Sequence, residues 1–384
     1  MKKAKQLFAG LILMALGLGT AQADYTLNLI KGVTKVSHDI YDLHMLILWI
    51  CVCIGIGVFG TMFYSIYHHR KSRGHKAAQF HENTTVEIIW TIIPTLILIG
   101  MAIPATKAMM ELDDVQESEM SIKVTGHQWK WEYEYLDNGI HFFSSLDEDS
   151  NKVRQLGSGI DPRTVANYLL NVDKPLVIPT KKKIRFVFTS KDVIHSWWVP
   201  DLGWKKDANP GFINESWTSV DEPGTYRGQC TELCGKDHGF MPIVVVAMNE
   251  PDYNAWVEKQ KAATAAEADS ASKQWTSEEL VAKGKSVYET NCSSCHMADG
   301  AGLAGTFPAI KGSKVVTGDI NAQVKLMLDG KGMMPAFGKM LSPVDFAAVV
   351  TYTRNGLGNS VGDSIQPSAI QALQSATPAA GKNE

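Results

Sequence analysis

Twelve consecutive residues, Cys230-Thr-Glu-Leu-Cys234-Gly-Lys-Asp-His238-Gly-Phe-Met241, hold two thiols, an imidazole and a thioether. A second imidazole, His195, lies upstream in Val-Ile-His-Ser-Trp-Trp. Soft sulfur ligands combined with imidazole select copper over magnesium or calcium. A structural zinc site more often shows Cys-x2-Cys and has no use for a methionine. A mononuclear blue-copper site takes one Cys, two His and a weak Met, so the second thiolate changes the count. Two thiolates can bridge two copper ions and leave one imidazole for each. Met241 and a backbone carbonyl, that of Glu232, then serve as weak outer ligands. One electron shared over two metals requires little change of geometry on reduction. A Cys230–Cys234 disulfide is chemically permitted outside the cytoplasm, but it leaves His195, His238 and Met241 unexplained.

A second constellation, Cys292-Ser-Ser-Cys295-His296, is the attachment signal for c-type haem. Its two thiols form thioethers to the vinyl groups, and His296 becomes the proximal iron ligand. A distal thioether completes a His/Met haem. Met333, Met334 and Met340 are the candidates.

These residues need elements to position them. From Ser121 to Met248 the pattern is that of strands. Trp129, Trp131, Tyr133 and Tyr135 alternate with charged residues at period two, as do Ile184, Phe186 and Phe188. Ile122 and Val124 have the opposite parity, which predicts a bulge or bend at Gly126. Turn signals such as Glu222-Pro223-Gly224 separate the runs, and the best architecture is a β-sandwich. The polar stretch Ser144 to Asn171 reads as an insertion with a short helix near Arg163 to Leu170. Val257 to Lys273 reads as a linker, helical or flexible. Thr276-Ser-Glu-Glu279 is a helix-start signal, and Ser342 to Arg354 is an apolar-periodic helix.

The amino terminus carries Lys2, Lys3 and Lys5, an apolar run and Ala21-Gln22-Ala23, the pattern of a signal peptide ending at Ala23. His44 to Tyr67 has no Asp, Glu, Lys or Arg. As a helix it is about 36 Å long, enough to cross a bilayer. Val86 to Met110 is a second span, interrupted by Pro94 and Pro104. The loop between them carries Arg70, Lys71, Arg73 and Lys76, so it stays in the cytoplasm. Both termini and everything after Met110 then lie outside. Glu87, at the inner edge of the second span, is an ionisable residue of the kind that marks function.

The chain has 384 residues, with Lys+Arg 37 against Asp+Glu 40. That balance excludes a basic nucleic-acid-binding surface. Six cysteines are too few for a disulfide scaffold.

The two spans, Gly126-His-Gln-Trp-Lys-Trp-Glu-Tyr-Glu-Tyr135 and Cys230-x3-Cys234-x3-His238-x2-Met241 resemble cytochrome c oxidase subunit 2 over roughly residues 30 to 256. Residues 276 to 360 resemble a class I cytochrome c. The resemblance implies an α+β multidomain membrane protein: a two-helix transmembrane hairpin, a cupredoxin-like β-sandwich and an all-α cytochrome c domain. The implied division is signal peptide 1–23, hairpin 24–110, copper domain 111–256, linker 257–275, cytochrome c domain 276–360 and disordered tail 361–384. Dinuclear copper (CuA) would be held by His195, Cys230, the Glu232 carbonyl, Cys234, His238 and Met241. The Glu232 side chain would reach a magnesium site at the boundary with subunit 1. Trp129 matches the residue that receives electrons. Glu87 matches the mouth of a proton pathway. Met334, directly before Pro335, matches the haem ligand, with Met333 the alternative. Lys130 departs from the family, where tyrosine is common, and is expected to weaken or reshape the donor contact without touching the metal site. Lys205 and Asp207 match a family loop without a clear role.

The implied function is electron input to a haem–copper oxidase of the bacterial inner membrane. Electrons would pass from a cytochrome c donor through haem c and CuA to subunit 1. Subunit 3 and the lipid bilayer are further partners, and proton pumping accompanies oxygen reduction. The alternatives are a membrane-anchored electron shuttle to another reductase and a copper-carrying assembly protein. A quinol oxidase subunit lacks the copper ligands present here.

Overall fold

In the computed structural model, residues 28–76, 78–155 and 157–376 are described. The expected signal peptide lies outside them. Two helices, α1 (Lys35–His68) and α2 (Thr84–Asp113), are long and apolar enough to cross a membrane. Each extends beyond its expected span. The Asn83 side chain accepts from the Val86 N–H and starts α2 ahead of the apolar run. Pro94 and Pro104 are both accommodated inside the helix.

Ten strands come next: β1 (Met120–His127), β2 (Lys130–Tyr135), β3 (His141–Ser144), β4 (Leu176–Pro179), β5 (Ile184–Ser190), β6 (His195–Val199), β7 (Trp204–Ala208), β8 (Asn214–Thr218), β9 (Gly224–Cys230) and β10 (Pro242–Met248). They make two five-stranded sheets, ordered β3-β2-β1-β5-β8 and β4-β10-β9-β6-β7. The strands with period-two patterns turn Ile122, Val124, Trp131, Tyr133, Phe186 and Phe188 inward, where they are fully buried with Trp197 from the second sheet. This is the expected cupredoxin-like sandwich.

The change of parity near Gly126 has another cause than the expected bulge. β1 and β2 pair antiparallel, with Ile122 opposite Tyr135 and His127 opposite Lys130. Gln128 and Trp129 are the connection between them, so the side-chain alternation restarts in a new strand. Trp129 therefore sits in a turn, outside the strand. The helix of the polar insertion also lies elsewhere. It is α3 (Glu148–Val153), started by the Asp147 side chain accepting from the Ser150 N–H. The expected helical stretch 163–170 is broken by positive φ at Asn167 and Leu169.

The linker is helical: α4 (Glu250–Ala271) buries Tyr253 and Val257 against the sandwich core. The C-terminal domain holds α5 (Ser277–Asn291), α6 (Ser293–His296), α7 (Lys314–Thr317), α8 (Ile320–Asp329) and α9 (Pro343–Asn355). Thr276 and Glu279 form the expected capping box. α5 packs on α9 so closely that a Cβ at Gly284 would lie 2.1 Å from the Ala348 carbonyl oxygen. The tail expected to be disordered instead forms α10 (Pro367–Ala376). Its apolar side chains have a core to cover, and Ile370 is fully buried in that of the helical domain. The rest of the expected tail, beyond Ala376, lies outside the described residues. Residues 32–40 and the described residues from 81 onward cluster as one compact unit that takes in the sandwich and the helical domain.

Candidate metal centre

Strand pairing assembles the sulfur–imidazole cluster. β6 begins at His195, β9 ends at Cys230, and the two strands are neighbours, with Trp197 opposite Cys230. The loop after β9 returns Cys234, His238 and Met241 before β10 begins. Cys230 Sγ lies 3.9 Å from Cys234 Sγ, 4.0 Å from His195 Nδ1 and 3.4 Å from the Glu232 carbonyl oxygen. Cys234 Sγ lies 3.5 Å from His238 Nδ1 and 3.6 Å from Met241 Sδ. Both cysteines and Met241 are buried, and His195 is wholly so. A disulfide needs about 2.05 Å between sulfurs, so these are two thiols facing one another.

Every donor of the expected copper set thus converges on one buried spot. The side-chain donors are soft or borderline, with no carboxylate among them, and they suit copper. The electrostatics favour the thiolate. Hydrogen bonds from the Cys234 thiol and then His195 hold Cys230 well below the ordinary thiol range. The same Cys230 sulfur, with burial, pushes Cys234 up. Two adjacent thiolates repel, so the second proton leaves only when a cation takes its place.

The sequence reading missed Asp192. Its Oδ1 accepts from His195 Nε2 at 2.8 Å, which leaves Nδ1 aimed at Cys230. Burial disfavours the imidazolium, but Asp192 and the Cys230 sulfur outweigh it and raise His195 above its ordinary value. A carboxylate three residues ahead of a ligand histidine was the available signal. Behind the cluster, Trp129 Nε1 and Gln128 Nε2 both donate to the Cys234 carbonyl, at 3.1 and 2.8 Å. The indole of Trp129 is therefore hydrogen-bonded to the backbone of a thiol residue.

Other expected site residues lie apart from the cluster. Glu87 stands exposed in the first turn of α2 and accepts weakly from the Asn83 N–H. The Glu232 side chain is exposed. Asp207 holds Ser196 Oγ at 2.7 Å and Lys205 Nζ at 2.9 Å, bracing β6 against β7. Lys130 is not a surface residue for an external donor. Only 7% of it is exposed, and its Nζ donates to Asn291 Oδ1 at 2.8 Å. Burial pushes its pKa down to about 8.

In the helical domain, α5 delivers Cys292 and α6 carries Cys295 and His296. His296 Nδ1 lies 2.8 Å from the Pro308 carbonyl, so this nitrogen donates there and Nε2 is free for iron. The apolar surroundings push the Cys292 thiol up to about 12 and raise Cys295 as well. Met334 and Met340 pack against the domain core, whereas Met333 is 67% exposed.

Comparison with known proteins gives a consistent result. Residues 120–248 match the family model of cytochrome c oxidase subunit II, periplasmic domain, and residues 22–108 its transmembrane domain. Residues 279–352 match cytochrome c oxidase, cbb3-type, subunit III. The probable cytochrome c oxidase subunit 2 of Rickettsia prowazekii (strain Madrid E) is 39% identical over 225 residues, covering 58% of this chain and 69% of that one. Cytochrome c oxidase subunit 2 of Arabidopsis thaliana is 37% identical over 241 residues, covering 62% of this chain and 91% of that one. The solved periplasmic domain of subunit II of cytochrome oxidase of Bradyrhizobium japonicum is 40% identical, covering 38% of this chain and 97% of that one, with a TM-score of 0.33. With the copper-type cluster, the two apolar helices and the Cys-x-x-Cys-His domain all in place, the chain belongs to the cytochrome c oxidase subunit 2 family, as a membrane-anchored member that carries its own cytochrome c domain.

Proposed function

We propose that this chain is the electron-input subunit of its haem–copper oxidase. When bound, haem c and dinuclear copper supply two one-electron carriers in series between a cytochrome c donor and subunit 1, where oxygen is reduced to water with proton pumping. The observation that carries the proposal is the convergence of two thiols, two imidazoles, a thioether and a backbone carbonyl around one buried pair of sulfurs.

In this reading His195, Cys230, the Glu232 carbonyl, Cys234, His238 and Met241 hold the copper. Asp192 keeps the His195 ring in the tautomer that ligates. Cys292 and Cys295 carry the haem, with His296 and Met334 as axial ligands. The packing of the partly buried Met334 on the domain core, beside the exposed Met333, supports that choice. Trp129 is the electron-entry residue, a role supported by its hydrogen bond to the Cys234 carbonyl. The exposed Glu232 side chain is the magnesium ligand toward subunit 1. Glu87, at the start of α2, stands at the mouth of a proton pathway. The loop 68–85 faces the cytoplasm of a bacterial inner membrane, and both redox domains face outward. Subunit 3 completes the complex.

Metal analysis and a visible and near-infrared spectrum of the purified complex test this. About two coppers per c-type haem are expected from a bridging thiolate pair. Cys230→Ser should lose the copper and oxidase turnover while haem c stays reducible. A single metal ion, or normal turnover in Cys230→Ser, would sink the proposal. Purification with a large multi-span haem a partner separates it from the alternative of a shuttle to another reductase.

A further inference from the structure

The segment that presents the haem cysteines is the same segment that touches the sandwich. Asn291 Oδ1 accepts from Lys130 Nζ, the Glu289 carbonyl accepts from Asn151 Nδ2 at 3.1 Å, and the Ser294 carbonyl accepts from Lys236 Nζ. These three acceptors flank or lie between Cys292 and Cys295. On the sandwich side, Lys130 follows Trp129, and Lys236 lies two residues after Cys234. Trp129, Lys130, Asn151 and Asp237 share one small cleft with Asn291 and Ser294.

Lys130 is the centre of this contact. Its ammonium lies 5.8 Å from the Phe143 ring centroid in the sandwich and 5.9 Å from that of Phe337 in the cytochrome domain. No carboxylate is bonded to it; its one hydrogen-bond partner among the described residues is a neutral amide from the other domain. A buried ammonium is costly; Asp173 attracts it only through space, so the Asn291 amide is the group that bonds it directly. The tether supports the contact. α4 is anchored by Tyr253 and Val257 in the sandwich core, and Trp275 Nε1 donates to Ser270 near its far end at 3.1 Å.

We infer that Lys130 is a positioning residue that docks the chain's own cytochrome domain, through Asn291, onto the Trp129 edge of the copper domain, so that an external donor reaches copper only by way of haem c. This rests on the functional reading above and adds to it the interface and the residue that fixes it. A diffusing donor has to compete for an edge that a tethered domain already covers at high effective concentration.

The test uses the intact, loaded oxidase, with haem c photoreduced by a soluble ruthenium dye and electron arrival at copper followed optically. Lys130→Met keeps the aliphatic stem and should slow the intrachain transfer about tenfold, the scale of one lost hydrogen bond to a charged group. Asn291→Ala should do the same from the other side. The double variant should be no slower than either single one, because they remove one shared interaction. Lys130→Arg should recover most of the rate. Copper content and both metal spectra should stay as in the parent, while amide exchange at 289–294 accelerates. Parent rates and parent exchange in both single variants would overturn the dock. So would a slowed rate with a changed copper spectrum, because Lys130 would then act on the metal site. If the parent chain passes no electron from haem c to copper, the functional reading fails, and the exchange data alone still decide the dock.

Discussion

Asp192 Oδ1 accepts a 2.8 Å hydrogen bond from His195 Nε2, and the opposite ring nitrogen faces Cys230 Sγ across 4.0 Å. The same carboxylate accepts from the Gln128 and Val193 N–H groups, both at 2.7 Å. Asp192 therefore ties the β1–β2 turn to the imidazole.

Removing this brace should weaken metal binding without deleting a ligand. Asp192→Ala is expected to lower copper affinity by roughly 10- to 100-fold, the usual effect of losing the partner that orients a ligand histidine. A competition titration against a copper chelator measures it. Affinity equal to the parent would show that burial alone fixes the ring.

Acid should act on the first sheet through Glu132. Burial raises this carboxyl, but hydrogen bonds with His127 Nε2 at 2.7 Å and His141 Nε2 at 2.8 Å bring it below the ordinary carboxylate range. A depressed folded pKa contributes stability that is full above the unfolded value, about 4.3. That stability is lost as pH falls toward the folded value. Denaturant unfolding at stepped pH should show a shallower acid decline in Glu132→Gln than in the parent. Identical slopes would exclude Glu132 as the source.

The helix crossing at Gly284 leaves no room for a side chain. Gly284→Ala should destabilise the cytochrome domain by about 1–3 kcal/mol, the range for overpacking a close contact. Melting followed at the haem band should move down while copper-domain unfolding holds still. An unchanged melt would mean that α5 and α9 separate easily.

The two adjacent methionines should part company on substitution. Met334→Leu is expected to remove the thioether–iron charge-transfer band and lower the haem c potential, because a thioether ligand raises it. Met333→Leu should leave both unchanged. Redox titration with near-infrared spectroscopy checks the pair, and the reverse pattern would move the ligand to Met333.

The cluster was legible because its ligands lie mostly in one loop of twelve residues, where spacing alone carries the chemistry. Period-two patterns also gave the sandwich, since inward side chains must alternate. The β1–β2 turn was hidden because Gln128 and Trp129 are not turn-forming types, and Trp129 continued the alternation of β2 by chance. The insertion helix was misplaced because its start depends on one side-chain cap at Asp147. The role of Lys130 could not be read at all, because its partner is 161 residues away. Long-range polar pairs leave no periodicity in a sequence.

Gly126 sits behind the copper cluster, where an added Cβ would lie 2.7 Å from His195 Cδ2. The imidazole thus rests on bare main chain on one face, with the Trp131 ring 5.9 Å away on another. Both contacts restrict the ring's rotation. A single methyl group at position 126 would be enough to push the ring off its line to the sulfurs.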